Sequence, residues 1–204
     1  MFSPSLDVAL EFARALGGLA LIPPRLLGYL AHREANEAVV REVLALGPPP
    51  LADPDDLPPL SATGELADRP LRIMISAAEH SGEIHAANLI DALKDEARAA
   101  GLPEPDIRGL GGEALIERGM TSIGDPGSRA AMGFDGVVKT LPFYLGLLRD
   151  ATACVRDWQP DLFLPVDSPA LHVPLARLVR GAGARSPKVA HFVTPQYWGW
   201  APGA

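Results

Sequence analysis

The rhythm of apolar positions changes twice along the chain. Through residue 46 it is helical. "SLDVALEFARALGGLAL" is apolar almost all round, with Ser5 near its start as a cap. After Pro23-Pro24, "RLLGYLAHREANEAVVREVLAL" resumes with Leu26, Leu27, Leu30, Val39, Val40, Val43 and Leu44 near helical spacing. The proline pair separates the two helices because proline lacks an N–H and disfavours helix in the residue before it. From 47 to 70 the periodicity gives way to Pro48, Pro49, Pro50, Pro54, Pro58, Pro59 and Pro70, with Asp53, Asp55 and Asp56 between them, which predicts an extended linker.

From Leu71 onward short apolar runs alternate with helical stretches. The runs "LRIMISA", "DIRGLGG", "MTSIG", "DLFLPV" and "KVAHFV" predict strands. Helices are predicted over Ser81–Ala100, over Glu113–Arg118 with Gly119 as its C-cap, and from "DSPALH" through Arg180. "AAMGFDGVVKTL" and "PFYLGLLRDATACVRDW" read as two helices split at Pro142. Strands alternating with helices imply an α/β fold with a parallel sheet and right-handed crossovers. The expected organisation is therefore a helical extension over 1–46, a linker over 47–70 and an α/β domain over 71–204.

Composition narrows the function. Of 204 residues, 48% are hydrophobic and 21% charged, enough apolar content for a sizeable core. A net charge of −7 argues against a general nucleic-acid binder, which needs a basic face. It leaves small anionic ligands open, since a few local donors can hold them. A single cysteine, Cys154, excludes an intrachain disulfide and a cysteine-only zinc cluster, fits a reducing compartment, and reads as a buried, inert thiol. The N-terminus lacks a basic region, and Asp7, Glu11 and Arg14 interrupt its apolar pattern, so no signal peptide is expected. "ALGGLALI" is too short to span a bilayer and can pack in a core or rest on a membrane surface.

Open parallel sheets bind ligands beyond the carboxyl ends of their strands. The candidates are the residues that follow each strand. After the first come Glu79, His80, Ser81 and Gly82, where a helix N-terminus favours an anion; Ser81 as a simple helix cap explains the same residues. His80, Glu83 and His85 do not share one helical face, so no metal site is expected. Gly111 and Gly112 fit either close approach of a ligand or a tight turn. Asp167, directly after "DLFLPV", is costly to bury without purpose. It can serve as a general base toward a sugar hydroxyl, while Asp167 or Ser168 can equally cap the next helix. Trp198 and Trp200 in "YWGW" can stack on a sugar or pack in a core.

Taken in order, these blocks resemble lipid-A-disaccharide synthase. The family's strand followed by A-G-E-x-S-G-D is matched by Ala77-Ala78-Glu79-His80-Ser81-Gly82-Glu83, and its G-x-G-G by Gly109-Leu110-Gly111-Gly112. Its M-G is matched by Met132-Gly133. Its P-D-hydrophobic-D-A-P is matched by Pro160-Asp161 through Val166-Asp167-Ser168-Pro169, and its [ST]-P-x-x-W-x-W by Thr194-Pro195-Gln196-Tyr197-Trp198-Gly199-Trp200. The similarity runs from about Leu71 to the last residue. The departures are Ala78 for glycine, Glu83 for aspartate, Gly136 for a usual glutamate, Ala170-Leu171-His172 for Asp-Phe-Asn, and Ala201 for a common arginine.

The resemblance implies the Rossmann-like N-terminal half of a GT-B glycosyltransferase. Its partners would be a UDP-activated acylated glucosamine as donor and an acylated glucosamine 1-phosphate as acceptor. It implies no metal or other cofactor, and a cytoplasmic location, peripheral at the inner face of the inner membrane. Asp167 matches the presumed base. The matched substrate positions are Glu79, Ser81, Gly82, Gly111, Gly112, Met132, Gly133, Ser168, Thr194, Pro195 and Trp198. The chain ends soon after "YWGW", so the C-terminal domain that carries most of the donor site is expected to be missing. Transfer would then require that second half. The rival expectations are a non-catalytic paralogue that binds an acyl-sugar phosphate or a partner domain, and a generic nucleotide-binding α/β domain.

Overall fold

A computed structural model describes residues 4–20, 24, 27–28, 31–45, 69–129, 134–182 and 185–193. The chain divides into two compact units whose boundary falls inside the first helix, between Phe12 and Ala13. In the unit that holds residue 33, helix α2 (Arg33–Ala45) carries an exposed ladder. Arg33 Nε donates to Glu37 at 2.7 Å, and Arg41 pairs with the other Glu37 oxygen at 3.6 Å.

The other unit contains the sheet. Its elements run β1 (Arg72–Ala77), α3 (His80–Ala99), β2 (Asp106–Leu110), α4 (Glu113–Ile116), β3 (Thr121–Gly124), a 3-10 turn (Pro126–Arg129), α5 (Phe134–Trp158), β4 (Leu162–Val166), α6 (Pro169–Ala182) and β5 (Lys188–Val189). The strand order is β3-β2-β1-β4-β5 and every pair is parallel. Chain order reverses between β1 and β4, which is the switch point where open sheets of this kind leave a crevice.

Period-two alternation assigns the two faces. Ile73, Ile75 and Ala77 of β1 and Leu164 and Val166 of β4 pack with Ala86, Ala87 and Ile90 of α3 and Leu115 of α4. Met74 and Phe163 face the other way, into a cluster with Leu147, Ala151 and Val155 of α5 and Leu171, Leu175 and Val179 of α6. Because both faces are covered, β1 is buried from Ile73 through Ala77, which explains its continuous apolar run. Val8 of α1 (Pro4–Ala20) joins the second cluster, and Glu11 accepts a 3.0 Å hydrogen bond from Arg177 of α6.

Three sequence expectations are corrected. Pro142 does not split the region after Gly133: α5 runs unbroken from Phe134 to Trp158 with Pro142 inside it. A proline in a helix interior forfeits one backbone hydrogen bond, and the apolar face C-terminal to it, Leu147, Leu148, Ala151 and Val155, is buried against the sheet. Ser81 is not a helix cap. The N-cap of α3 is Glu79, with no side-chain cap bond, and Ser81 is an exposed residue of the first turn. The last strand is also shorter than "KVAHFV" predicts. Its ladder covers Lys188 and Val189, and pairing with β4 continues as Ala190 N–H to Phe163 O, Phe192 N–H to Pro165 O and an isolated bridge between Val166 and Phe192.

Candidate functional site at the carboxyl edge of the sheet

The carboxyl ends of β1, β2, β3 and β4 bring Glu79, Ser81, Gly82, Gly111, Gly112, Asp167 and Ser168 to one edge. Met132, Gly133, Thr194, Pro195 and Trp198 lie outside the described residues. Beyond β1, the first intrahelical bond of α3 is Glu83 N–H to Glu79 O at 2.9 Å. The amides of His80, Ser81 and Gly82 precede it and form the positive end of the helix. Glu79, His80 and Ser81 are exposed there, and Gly82 is buried.

Gly82 brings α3 up to the end of β4. A Cβ at this position would stand 3.5 Å from Val166 O and 4.0 Å from the Asp167 Cβ. Asp167 is therefore next to the first turn of α3. It is half-buried, and among the described residues its carboxylate has no hydrogen-bond or ion-pair partner within the chain.

The glycine turn after β2 is closed by its own contacts. Gly111 N–H donates to Gly124 O at 2.9 Å, and Gly112 N–H donates to the Glu83 carboxylate at 2.6 Å. A Cβ at Gly111 would collide with Leu115, and one at Gly112 would lie 2.7 Å from Glu83 Oε1. Glu83 thus ties the first turn of α3 to the end of β2 through a short, charge-assisted bond. At the end of β3, Asp125 Oδ1 accepts from Gly127 N–H at 2.8 Å and holds the next turn.

The end of β4 is strained. Asp167 and Ser168 have φ of 55° and 42°, and Val193 beyond β5 has φ of 55°. Left-handed backbone is unfavourable for L-residues by roughly 1–2 kcal/mol each. It persists where surrounding contacts over-determine it, a pattern that clusters at functional sites. The contacts here are explicit. Asp167 N–H donates to Phe192 O at 3.2 Å. The Asp167 carbonyl accepts from His172 Nδ1 at 2.5 Å and from His191 Nε2 at 3.1 Å.

A carbonyl only accepts, so His172 carries its proton on Nδ1. Its Nε2 is then an acceptor in the neutral ring, and the Ser76 hydroxyl donates to it at 2.9 Å. Ser76 is fully buried and His172 is 1% exposed. Burial pushes the His172 pKa down to about 4. The bond to the Asp167 carbonyl opposes that shift, the nearby His191 ring adds to it, and the Asp167 charge opposes it. The imidazole is therefore neutral near neutral pH, and the tautomer follows from its two partners. Sequence reading placed His172 only as a departure from a pattern and did not single out His191. The available signal was parity. His172 falls within the buried stripe Leu171, Leu175, Leu178, Val179 and Ala182 of α6, and Ser76 alternates onto the same sheet face as Met74.

Among the described residues, no group of three or more His, Cys, Asp or Glu side chains is placed to hold a metal ion. No described helix is long and apolar enough to cross a membrane.

This is a Rossmann-like α/β domain: a five-stranded parallel sheet, helices on both faces, and polar residues collected at the strand carboxyl ends around a switch point. Residues 73–203 match the family model described as lipid-A-disaccharide synthetase, and the chain belongs to that family. It is 34% identical over 129 residues to a lipid-A-disaccharide synthase of Xanthomonas campestris pv. campestris, covering 63% of this chain and 28% of that protein. Those of Chromohalobacter salexigens and Xanthomonas euvesicatoria pv. vesicatoria are each 33% identical. The first match covers 65% of this chain and 32% of its relative, the second 78% and 34%. The chain thus spans about a third of the length of the curated relatives it matches.

Proposed function

We propose that this chain forms the acceptor-side domain of a lipid-A-disaccharide synthase. In this reading the complete enzyme transfers 2,3-diacylglucosamine from its UDP donor to 2,3-diacylglucosamine 1-phosphate, releasing UDP. Asp167 is the general base that takes the proton of the attacking acceptor hydroxyl. The observation that carries the reading is the placement of Asp167. Among the described residues its carboxylate has no partner, and it stands at the carboxyl end of β4, beside the anion-favouring first turn of α3. Glu79, Ser81 and Gly82 line the same edge and would face the acceptor. The acyl groups of both substrates make the inner face of the inner membrane the working location, with peripheral contact.

The test is transfer of radiolabelled sugar by a protein in which this chain is joined to the C-terminal half of a relative. Asp167→Asn is expected to lower turnover about 10²–10⁴-fold, the range for a positioned general base. An unchanged rate would sink the assignment.

One observation favours a second reading, a divergent paralogue that binds an acyl-sugar phosphate or a partner domain without turnover. Where the family carries Asp-Phe-Asn, this chain has Ala170-Leu171-His172, and His172 is turned inward to Ser76. Acceptor binding without transfer by the joined protein would support it.

A further inference from the structure

The Asp167 carbonyl, directly after β4, accepts from His172 of α6 and from His191, which follows β5, and Ser76 of β1 bonds the far side of the His172 ring. His172, from α6, sits between Ser76 and Asp167, and its ring meets that of His191 edge-on with centroids 6.1 Å apart. Neither imidazole touches the Asp167 carboxylate. Both act on the backbone that carries it, at a residue whose φ lies in the left-handed region that favours glycine.

We propose that His172 and His191 are positioning residues for Asp167. By donating to its carbonyl, they hold the left-handed backbone that sets its side chain against the first turn of α3. The Asp167 carbonyl, which only accepts, requires hydrogen on Nδ1, and Ser76 completes the device by donating its hydroxyl to the free Nε2 of the neutral ring. The chain Ser76 O–H to Nε2, then Nδ1–H to O=C, fixes both the tautomer and the ring plane. The strain at Asp167 and Ser168 is thereby balanced by bonds from elements far apart in sequence, as strained functional positions require. The catalytic part of the proposal rests on the reading of Asp167 as the base. The conformational part does not.

The experiment separates the two parts. In the 204-residue chain, histidine-selective ¹⁵N NMR is expected to show His172 neutral with hydrogen on Nδ1 near neutral pH. Hydrogen on Nε2 would overturn the proposal. His172→Asn places an amide N–H where Nδ1–H was, whereas His172→Gln reaches the Nε2 position and abandons the carbonyl. Backbone chemical shifts are expected to keep Asp167 in the left-handed region in His172→Asn and to move it out in His172→Gln and His191→Ala. Left-handed φ in all three variants would refute positioning, and His191→Ala keeps the test alive if the buried-site variants fail to fold. In the joined protein, His172→Gln is expected to lower kcat about 10²-fold with the acceptor KM within about twofold, and His172→Asn to restore most of it. A loss expressed in KM alone would also refute the proposal. If Asp167→Asn leaves transfer unchanged while φ responds as stated, the base assignment fails and positioning stands.

Discussion

Acidification provides a quantitative test of the buried histidine. His172 titrates at about 4 in the folded chain against 6.5 when free of its surroundings, and the main cause is burial. The folded state therefore binds fewer protons than the unfolded state between those values, so stability rises with pH across that window. The contribution is complete above about pH 6.5, falls as pH drops, and is fully lost below about pH 4. At ~1.4 kcal/mol per pKa unit the whole gap corresponds to about 3 kcal/mol. About 2 kcal/mol of that is expected between pH 8 and pH 5.

The measurement is urea unfolding of the wild type and of His172→Asn at several pH values across that interval. Carboxylates titrate in both proteins, so the difference between the two curves isolates the histidine. His172→Asn is expected to be less stable at about pH 8, because Ser76 loses its acceptor. The deficit should shrink by about 2 kcal/mol on going to about pH 5, since the variant has no ring to protonate. Asp167 and His191 are the titratable groups facing the ring, and both are retained in the variant. A difference that stays constant with pH, or that widens on acidification, would refute the claim that His172 is buried neutral.

Four further outcomes follow from the packing. Gly109→Ala should destabilise by at least about 2 kcal/mol in thermal or urea unfolding, because its Cβ would fall on the Ile75 carbonyl where β2 shifts register against β3. Gly82→Ala should fold with unchanged or slightly raised stability, since its Cβ meets only ordinary contacts. A loss of acceptor binding in that variant would then report on the ligand rather than the fold. Asp161→Ala should cost about 2 kcal/mol and Arg69→Ala about 1 kcal/mol. Asp161 also accepts the Arg72 amide at 3.0 Å in addition to both Arg69 nitrogens at 2.7 and 2.8 Å. Val8→Ala should cost about 2 kcal/mol if α1 completes the core beside α6, and an unchanged unfolding midpoint would remove α1 from that core.

Much of the sheet was legible because its signals are local. Ile73 to Ala77 had to be a strand buried on both faces, and Gly119, with φ of 83°, does end a helix as its position suggests. The position of Asp167 was legible for the same reason: an acidic residue placed directly after an apolar run falls at the carboxyl edge of a parallel sheet. The errors arose where tertiary contacts override local rules. Pro142 lies in a helix whose burial further along holds it together, and Glu79 rather than Ser81 precedes α3. The closure of the glycine turn by Glu83 joins residues 29 apart in sequence, and no local pattern announces it.

The pairing of Ser76 with His172 spans 96 positions and shows why part of the site stayed hidden. Each residue alone has an unremarkable explanation: a small polar residue in a strand, and a histidine in an apolar helical stripe. Their chemistry becomes visible only when two periodicities are combined. Period two puts Ser76 on the face of Met74, and the helical period puts His172 among Leu171, Leu175 and Val179, which cover that face. A buried imidazole on such a face needs a donor for one nitrogen and an acceptor for the other, and the sheet edge offers both within one residue of the strand ends. The first turn of α6 therefore acts on Asp167 through its backbone carbonyl. The polar residue of that turn, His172, works inward, on the backbone of the candidate base, while Ala170 is exposed.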